Sequence, residues 1–152
     1  MQTYSRSWIM SKTLLLIHPD PYIRDMLDIC LSYVGWHVLI AGSPLEGLAY
    51  AVQDQPDVIL FDLSTSGMNF FAFLKRLRKN PLTECIPIVL IGNETDWLQS
   101  LPLKDLNVAG LLDYPTDLNQ FHSQILELLH WNAEEFCLAS YSQVKRPQVT
   151  LR

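Results

Sequence analysis

The sequence predicts an α/β domain: a doubly wound, five-stranded parallel sheet with helices on both faces. Three observations predict it. Short, continuous apolar runs recur along the chain, the mark of strands buried on both faces. Each of the first three is followed by a helix-periodic stretch, two of which open with a capping residue and a proline. Hydrophobic residues make up 49% of the 152 residues, enough for one domain with a real core.

The elements follow in order. Thr13-Leu14-Leu15-Leu16-Ile17 is the first strand, ended by His18-Pro19-Asp20-Pro21. Asp20 caps a helix whose first residue is Pro21. In it Ile23, Met26, Leu27, Cys30, Leu31 and Val34 keep helical spacing, and Gly35 stops it. Trp36 to Ala41 is the second strand. Ser43-Pro44 opens a second helix with Leu45, Leu48, Ala49 and Val52 facing inward. Pro56-Asp57 leads into the third strand, which ends at Asp62. Asn69 to Lys79 is a third helix: Phe70, Phe73, Leu74 and Leu77 form its buried stripe, and Lys75, Arg76, Arg78 and Lys79 its solvated side. Ile86 to Ile91 and Val108 to Leu112 are the fourth and fifth strands. A shortened or irregular element is expected over Asn93 to Leu106, because Pro102 breaks a helical ladder. Asp117 to about Phe136 is the last helix, with Leu118, Phe121, Ile125, Leu128 and Leu129 in register. Residues 1–11 read as an N-terminal extension, 12–136 as the domain and 137–152 as a polar tail.

Bulk properties exclude several classes. The net charge is −5 and no Lys/Arg cluster forms a phosphate-neutralising surface, which argues against nucleic acid. No apolar run approaches the roughly 18 residues of a membrane span, and Met1 to Ser11 lacks a signal-peptide core. Cys30, Cys85 and Cys137 form no CxxC or metal spacing. Cys30 and Cys85 are expected to be buried structural thiols, in keeping with a reducing, cytoplasmic setting. His18, His37, His122 and His130 do not cluster, and no dinucleotide, P-loop, flavin-phosphate or cobalamin signature occurs.

The most informative residue is Asp62, an acid closing the buried run Asp57-Val58-Ile59-Leu60-Phe61-Asp62. In open α/β sheets the C-terminal strand edge is where ligands and chemistry collect. Pro56 to Leu63, with Gly67-Met68-Asn69 just after, resembles the phosphoacceptor strand and loop of a two-component response-regulator receiver domain. The similarity runs from about Lys12 to His130. Its strongest pieces are Leu14 to Ile17 with Pro21-Tyr22-Ile23-Arg24, the Asp62 strand, and Leu77 to Pro81 followed by Ile86 to Val89. The resemblance implies a flavodoxin-like sheet of order 2-1-3-4-5. It also implies that Asp62 is the phosphoacceptor candidate for a histidine kinase, assisted by magnesium.

Most of the chemistry the resemblance calls for is replaced. The acidic pair after the first strand reads His18 and Pro19. Magnesium prefers several hard oxygen ligands, so Asp20 and Asp62 are only weak candidate ligands and no metal or other cofactor is expected to bind firmly. The hydroxyl at the end of the fourth strand aligns with Gly92. The lysine before the proline after the fifth strand reads Tyr114, followed by Pro115, and the switch aromatic aligns with Leu111. His18, Asp20, Gly92 and Tyr114 therefore form a vestigial pocket. As a strand-end acid, Asp62 is expected to hydrogen-bond the Leu63 to Gly67 loop or a pocket water. Its replacement by Asn is expected to change stability little or raise it, by relieving desolvation.

The sequence thus reads as a stand-alone degenerate receiver, a pseudo-receiver in signal transduction. It is expected to act without enzymatic activity as a protein-interaction module independent of phosphorylation. Its partner would be a histidine kinase, another regulator or a complex, reached through the last helix and its neighbours, with Trp131, Phe136 and Tyr141 as candidate anchors. The competing reading is a working phosphorelay receiver phosphorylated on Asp62. A small-molecule-binding flavodoxin-like module is a third.

Overall fold

The computed structural model describes residues 12–65, 67–92, 102–113 and 118–131. The elements are β1 (Thr13–Ile17), α1 (Pro21–Tyr33), β2 (His37–Ala41), α2 (Pro44–Asp54), β3 (Val58–Asp62), α3 (Phe70–Lys79), β4 (Ile88–Ile91), β5 (Val108–Leu112) and α4 (Leu118–Leu129). The five strands form one parallel sheet in the order β2-β1-β3-β4-β5, as the sequence implied. β3 lies at its centre and all of its residues are buried. No helix among the described residues is long and apolar enough to cross a membrane.

Side chains alternate across a strand, so one sheet feeds two cores. Leu14 and Leu16 of β1, Val58 and Leu60 of β3, and Val89 and Ile91 of β4 meet Leu27 and Leu31 of α1 and Phe121, Ile125 and Leu126 of α4. The alternate residues Leu15, Ile17, Ile59, Phe61, Ile88 and Leu90 meet Ala51 of α2 and Phe70, Phe73, Leu74 and Leu77 of α3. Each fully buried side chain of this size contributes about 1.5–3 kcal/mol.

The caps form where the sequence places them. Asp20 accepts a hydrogen bond from the Tyr22 amide at 2.9 Å, Ser43 from the Glu46 amide, and Asn69 from the Ala72 amide. Gly35, at φ 115°, ends α1, and the Trp36 amide reaches back to the Leu31 carbonyl at 3.1 Å.

The inward face of α2 differs from the expectation. Leu45, Ala49 and Val52 face solvent, and the helix turns Pro44, Gly47 and Ala51 inward, with Leu48 packed at the margin. The cause is close approach. A Cβ on Gly47 would lie 2.4 Å from Ile17 Cδ1, so the helix backbone settles where no side chain intervenes. Cys85 is exposed rather than buried, Cys30 is half-buried, and Cys137 lies outside the described residues. The last helix stops at Leu129, not near Phe136: His130 turns to φ 59° and the Trp131 amide folds back to the Leu126 carbonyl. Leu126, not singled out in the sequence, is one of its buried residues. The expected irregular element falls largely on residues 93–101, outside the described ones, and residues 103–107 are turns.

Arg78 also departs from expectation. Its guanidinium is not solvated but donates to the carbonyls of Thr83, Glu84, Ile86, Leu106 and Asn107, at 2.9–3.3 Å. It thereby ties α3 to the loop before β4 and to the turn before β5. A planar guanidinium offers five donors in a fixed fork, which a single ammonium does not reproduce. Arg78→Ala is expected to cost about 2–3 kcal/mol, the scale of leaving charge-assisted carbonyl bonds unmade, with Arg78→Lys recovering little of it. Urea unfolding checks both.

A second tie joins α4 to the start of β2. The indole N–H of the buried Trp36 donates to Nδ1 of His122 at 2.9 Å, and Trp131 stacks on Trp36 at 5.8 Å with Lys12 over its ring. Of the three aromatic anchors, Trp131 is thus packed on the domain. Phe136 and Tyr141 lie outside the described residues. Burial lowers the His122 pKa below its ordinary 6.5. The folded state therefore holds the ring neutral, and the unfolded chain takes up a proton first. The stability contributed by this tie is complete above pH 6.5 and declines as pH falls below it. Unfolding midpoints are expected to drop between pH 7.5 and 5, with a shallower slope in His122→Phe.

Candidate functional site

The site lies at the C-terminal edge of the sheet, where three neighbouring strands end level. Ile17 pairs with Phe61, and Asp62 with Ile91. The next residues, His18 after β1 and Gly92 after β4, therefore flank Asp62. The Leu63 amide extends the ladder by one bond to the Ile91 carbonyl at 2.9 Å, and the Thr65 amide turns back to the Asp62 carbonyl at 3.1 Å. Residues 62–65 fold over the carboxylate they carry.

Asp62 is 0% exposed. Oδ1 accepts from the Ser64 amide at 2.8 Å and from the Ser64 hydroxyl. Oδ2 lies 3.2 Å from Nε2 of His18, itself 2% exposed, in close contact but without an aligned hydrogen bond. Burial would raise the carboxyl pKa. The His18 imidazole and the two Ser64 donors outweigh it, and the pKa lies below the ordinary 3.8. The sequence anticipated the bond to the following loop but not the partnership with His18. The resemblance placed His18 in the same pocket as Asp62; the parallel register shows that the two side chains meet directly.

His18 is held in turn by Asp20, whose amide donates to Nδ1 at 3.1 Å. An accepting Nδ1 places the proton of the neutral ring on Nε2, facing Asp62. That nitrogen then has no lone pair for a metal. Asp20 uses Oδ1 to cap α1, and exposed Pro19 offers no ligand. Among the described residues no group of three or more His, Cys, Asp or Glu could hold a metal ion. The residues present do not fit a magnesium site, which needs several oxygens around one point. Gly92 is buried and brings no hydroxyl. Leu111 is half-buried against the α2–α3 core, and Tyr114 lies outside the described residues.

No protein-family model matches the chain. Curated relatives do. Over 119 residues it is 32% identical to the DNA-binding dual master transcriptional regulator RpaA of Synechocystis, covering 76% of this chain and 48% of RpaA. Over 104 residues it is 33% identical to protein PilH of Pseudomonas aeruginosa, covering 68% of this chain and 86% of PilH. The chain belongs to the response-regulator receiver family. It spans about half the length or less of the larger regulators it matches, 42% in the case of PhoB of Pseudomonas aeruginosa. Among solved structures, the chemotaxis response regulator CheY4 of Vibrio cholerae superposes with a TM-score of 0.70 at 24% identity, over 78% of this chain and 99% of that one. The receiver domain of the Pseudomonas sensor histidine kinase PA1611, whose active-site cleft coordinates magnesium, shares the fold with a TM-score of 0.67 at 13% identity, over 79% of this chain and 98% of that one.

The expectation for Asp62→Asn changes with this geometry. An amide keeps an acceptor for Ser64 but turns a second donor toward His18 Nε2–H. The substitution is expected to cost about 1–3 kcal/mol, the scale of a buried polar group left unsatisfied. The depressed pKa also fixes a pH window. The contribution of Asp62 is complete above about pH 3.8 and is lost as pH falls toward and through the lower folded value. Wild type is expected to lose stability in that window, and Asp62→Asn to lose less. Denaturant midpoints between pH 5 and 2.5 check the pair.

Proposed function

We propose that this receiver is a degenerate one: a signalling module that binds a protein partner independently of phosphorylation at Asp62 and performs no catalysis. The observation that carries the reading is the state of Asp62, a carboxylate with no exposed surface, held by Ser64 on one oxygen and His18 on the other. Phosphoryl transfer needs an accessible acceptor, a metal to neutralise charge, and donors aimed at the transferred oxygens. Removing one such preorganised donor typically costs about 2.7–4 kcal/mol of transition-state stabilisation. Here the paired acids are His18 and Pro19, the hydroxyl position is Gly92, and the lysine position is Tyr114. Magnesium binds weakly or not at all. Leu111 has no ring to reorient, so the coupling from Asp62 to the β5–α4 face has neither of its usual parts. The partner is a histidine kinase, another regulator or a complex that recognises this face.

The reading is tested by incubating the protein with acetyl phosphate and magnesium and measuring intact mass. No phosphoryl addition is expected. Addition that Asp62→Ala abolishes would instead support the phosphorelay reading. Once a partner is recovered, its affinity for wild type and Asp62→Ala, with and without beryllofluoride, is expected to agree within about twofold, roughly 0.4 kcal/mol.

A further inference from the structure

Gly92 is not a glycine for the sake of its backbone. Positive φ among the described glycines occurs at Gly35 and Gly67, and Gly92 is not one of them. Its missing side chain is used as space. A Cβ there would lie 3.1 Å from Leu63 Cδ1, 3.3 Å from its Cβ and 3.5 Å from its Cγ. The position is buried, so the added atom has no solvent side to move toward. Leu63 in turn is half-buried, with its backbone held. Its amide is bonded to the Ile91 carbonyl, its side chain packs against the core shared with α2 and α3, and its Cβ is fixed by the backbone. The next residue, Ser64, supplies both donors to Asp62 Oδ1, and Thr65 bonds the Asp62 carbonyl.

We propose that Leu63 and Gly92 form a lock, in which the leucine side chain fills the space over the glycine and holds the turn after β3 closed on Asp62. The strand edge then has one arrangement rather than two. A side chain at position 92 presses on Leu63, which must give by a few tenths of an ångström next to the residue that supplies the Ser64 donors. A hydroxyl at position 92 therefore comes at the expense of Leu63 packing, because Leu63 lies against the space a side chain there would enter. This rests on the reading of Asp62 as a sealed carboxylate and adds what keeps it sealed.

The test is a double-substitution cycle of Leu63→Ala, Gly92→Ser and both together. It is read by denaturant unfolding and by hydrogen exchange at the Ser64 and Thr65 amides. Gly92→Ser alone is expected to lower the folding constant about tenfold, which is about 1.4 kcal/mol. In the Leu63→Ala background the same change is expected to alter it less than twofold, since the nearest atom, Cδ1, and Cγ are gone and only Cβ, at 3.3 Å, remains. Leu63→Ala is expected to speed exchange at Ser64 and Thr65 more than tenfold beyond its effect on the most protected core amides. If Leu63→Ala does not fold, Leu63→Val serves, because it also lacks Cδ1. Equal effects of Gly92→Ser in both backgrounds, or unchanged exchange at Ser64 and Thr65, would overturn the lock. Neither result bears on phosphoryl uptake by wild type. Uptake would remove the degenerate-receiver reading while leaving a measured Leu63–Gly92 coupling intact.

Discussion

A carboxylate at the end of a wholly buried central strand is the constraint around which this edge of the molecule is organised. Removing a charged carboxylate from water costs several kcal/mol unless partners replace the lost solvation. The neighbours of Asp62 supply them from two directions. Ser64 comes from the turn that the strand itself enters, so its donors are local. His18 comes from the end of β1, so it depends on the β1–β3 register. The depressed pKa of Asp62 records that these partners outweigh the burial. The result is a buried carboxylate with partners on both sides.

Space left by absent side chains is the second organising device. Gly47 lets α2 approach Ile17, Gly110 makes room for Leu128 of α4, and Gly92 makes room for Leu63. In each case a neighbouring aliphatic side chain takes up the volume, as close packing requires. At Gly47 and Gly110 the consequence is helix placement. At Gly92 it falls on the strand edge that carries Asp62, next to Leu63.

Family membership and site chemistry therefore give different information. The relatives and the sheet order place the chain among receivers, while the residues around Asp62 favour a fixed conformation. A switch needs two states that a ligand contacts differently. At the described edge Ser64 and His18 both face Asp62, while Asp62 Oδ2 and the buried Thr65 hydroxyl make no aligned hydrogen bond. The end of α4 is braced by the Trp36–His122–Trp131 tie.

The sequence by itself determined the strands, the principal helices and their caps, and, through the receiver resemblance, the order of the sheet. These are local or near-local properties: apolar runs, capping residues before prolines, and glycine after the first helix. It also located Asp62 at the strand edge and, through the same resemblance, implied that the acidic pair, hydroxyl and lysine of a receiver pocket are replaced by His18, Pro19, Gly92 and Tyr114. The tertiary structure alone decided the rest. It turned Leu45, Ala49 and Val52 outward, because how close α2 comes to Ile17 is a packing question that helical spacing does not contain. It drew Arg78 onto five carbonyls contributed by segments that are separate in sequence. It set His18 in contact with Asp62 and Leu63 against Gly92, because parallel register, not spacing along the chain, sets which residues of neighbouring strands end side by side.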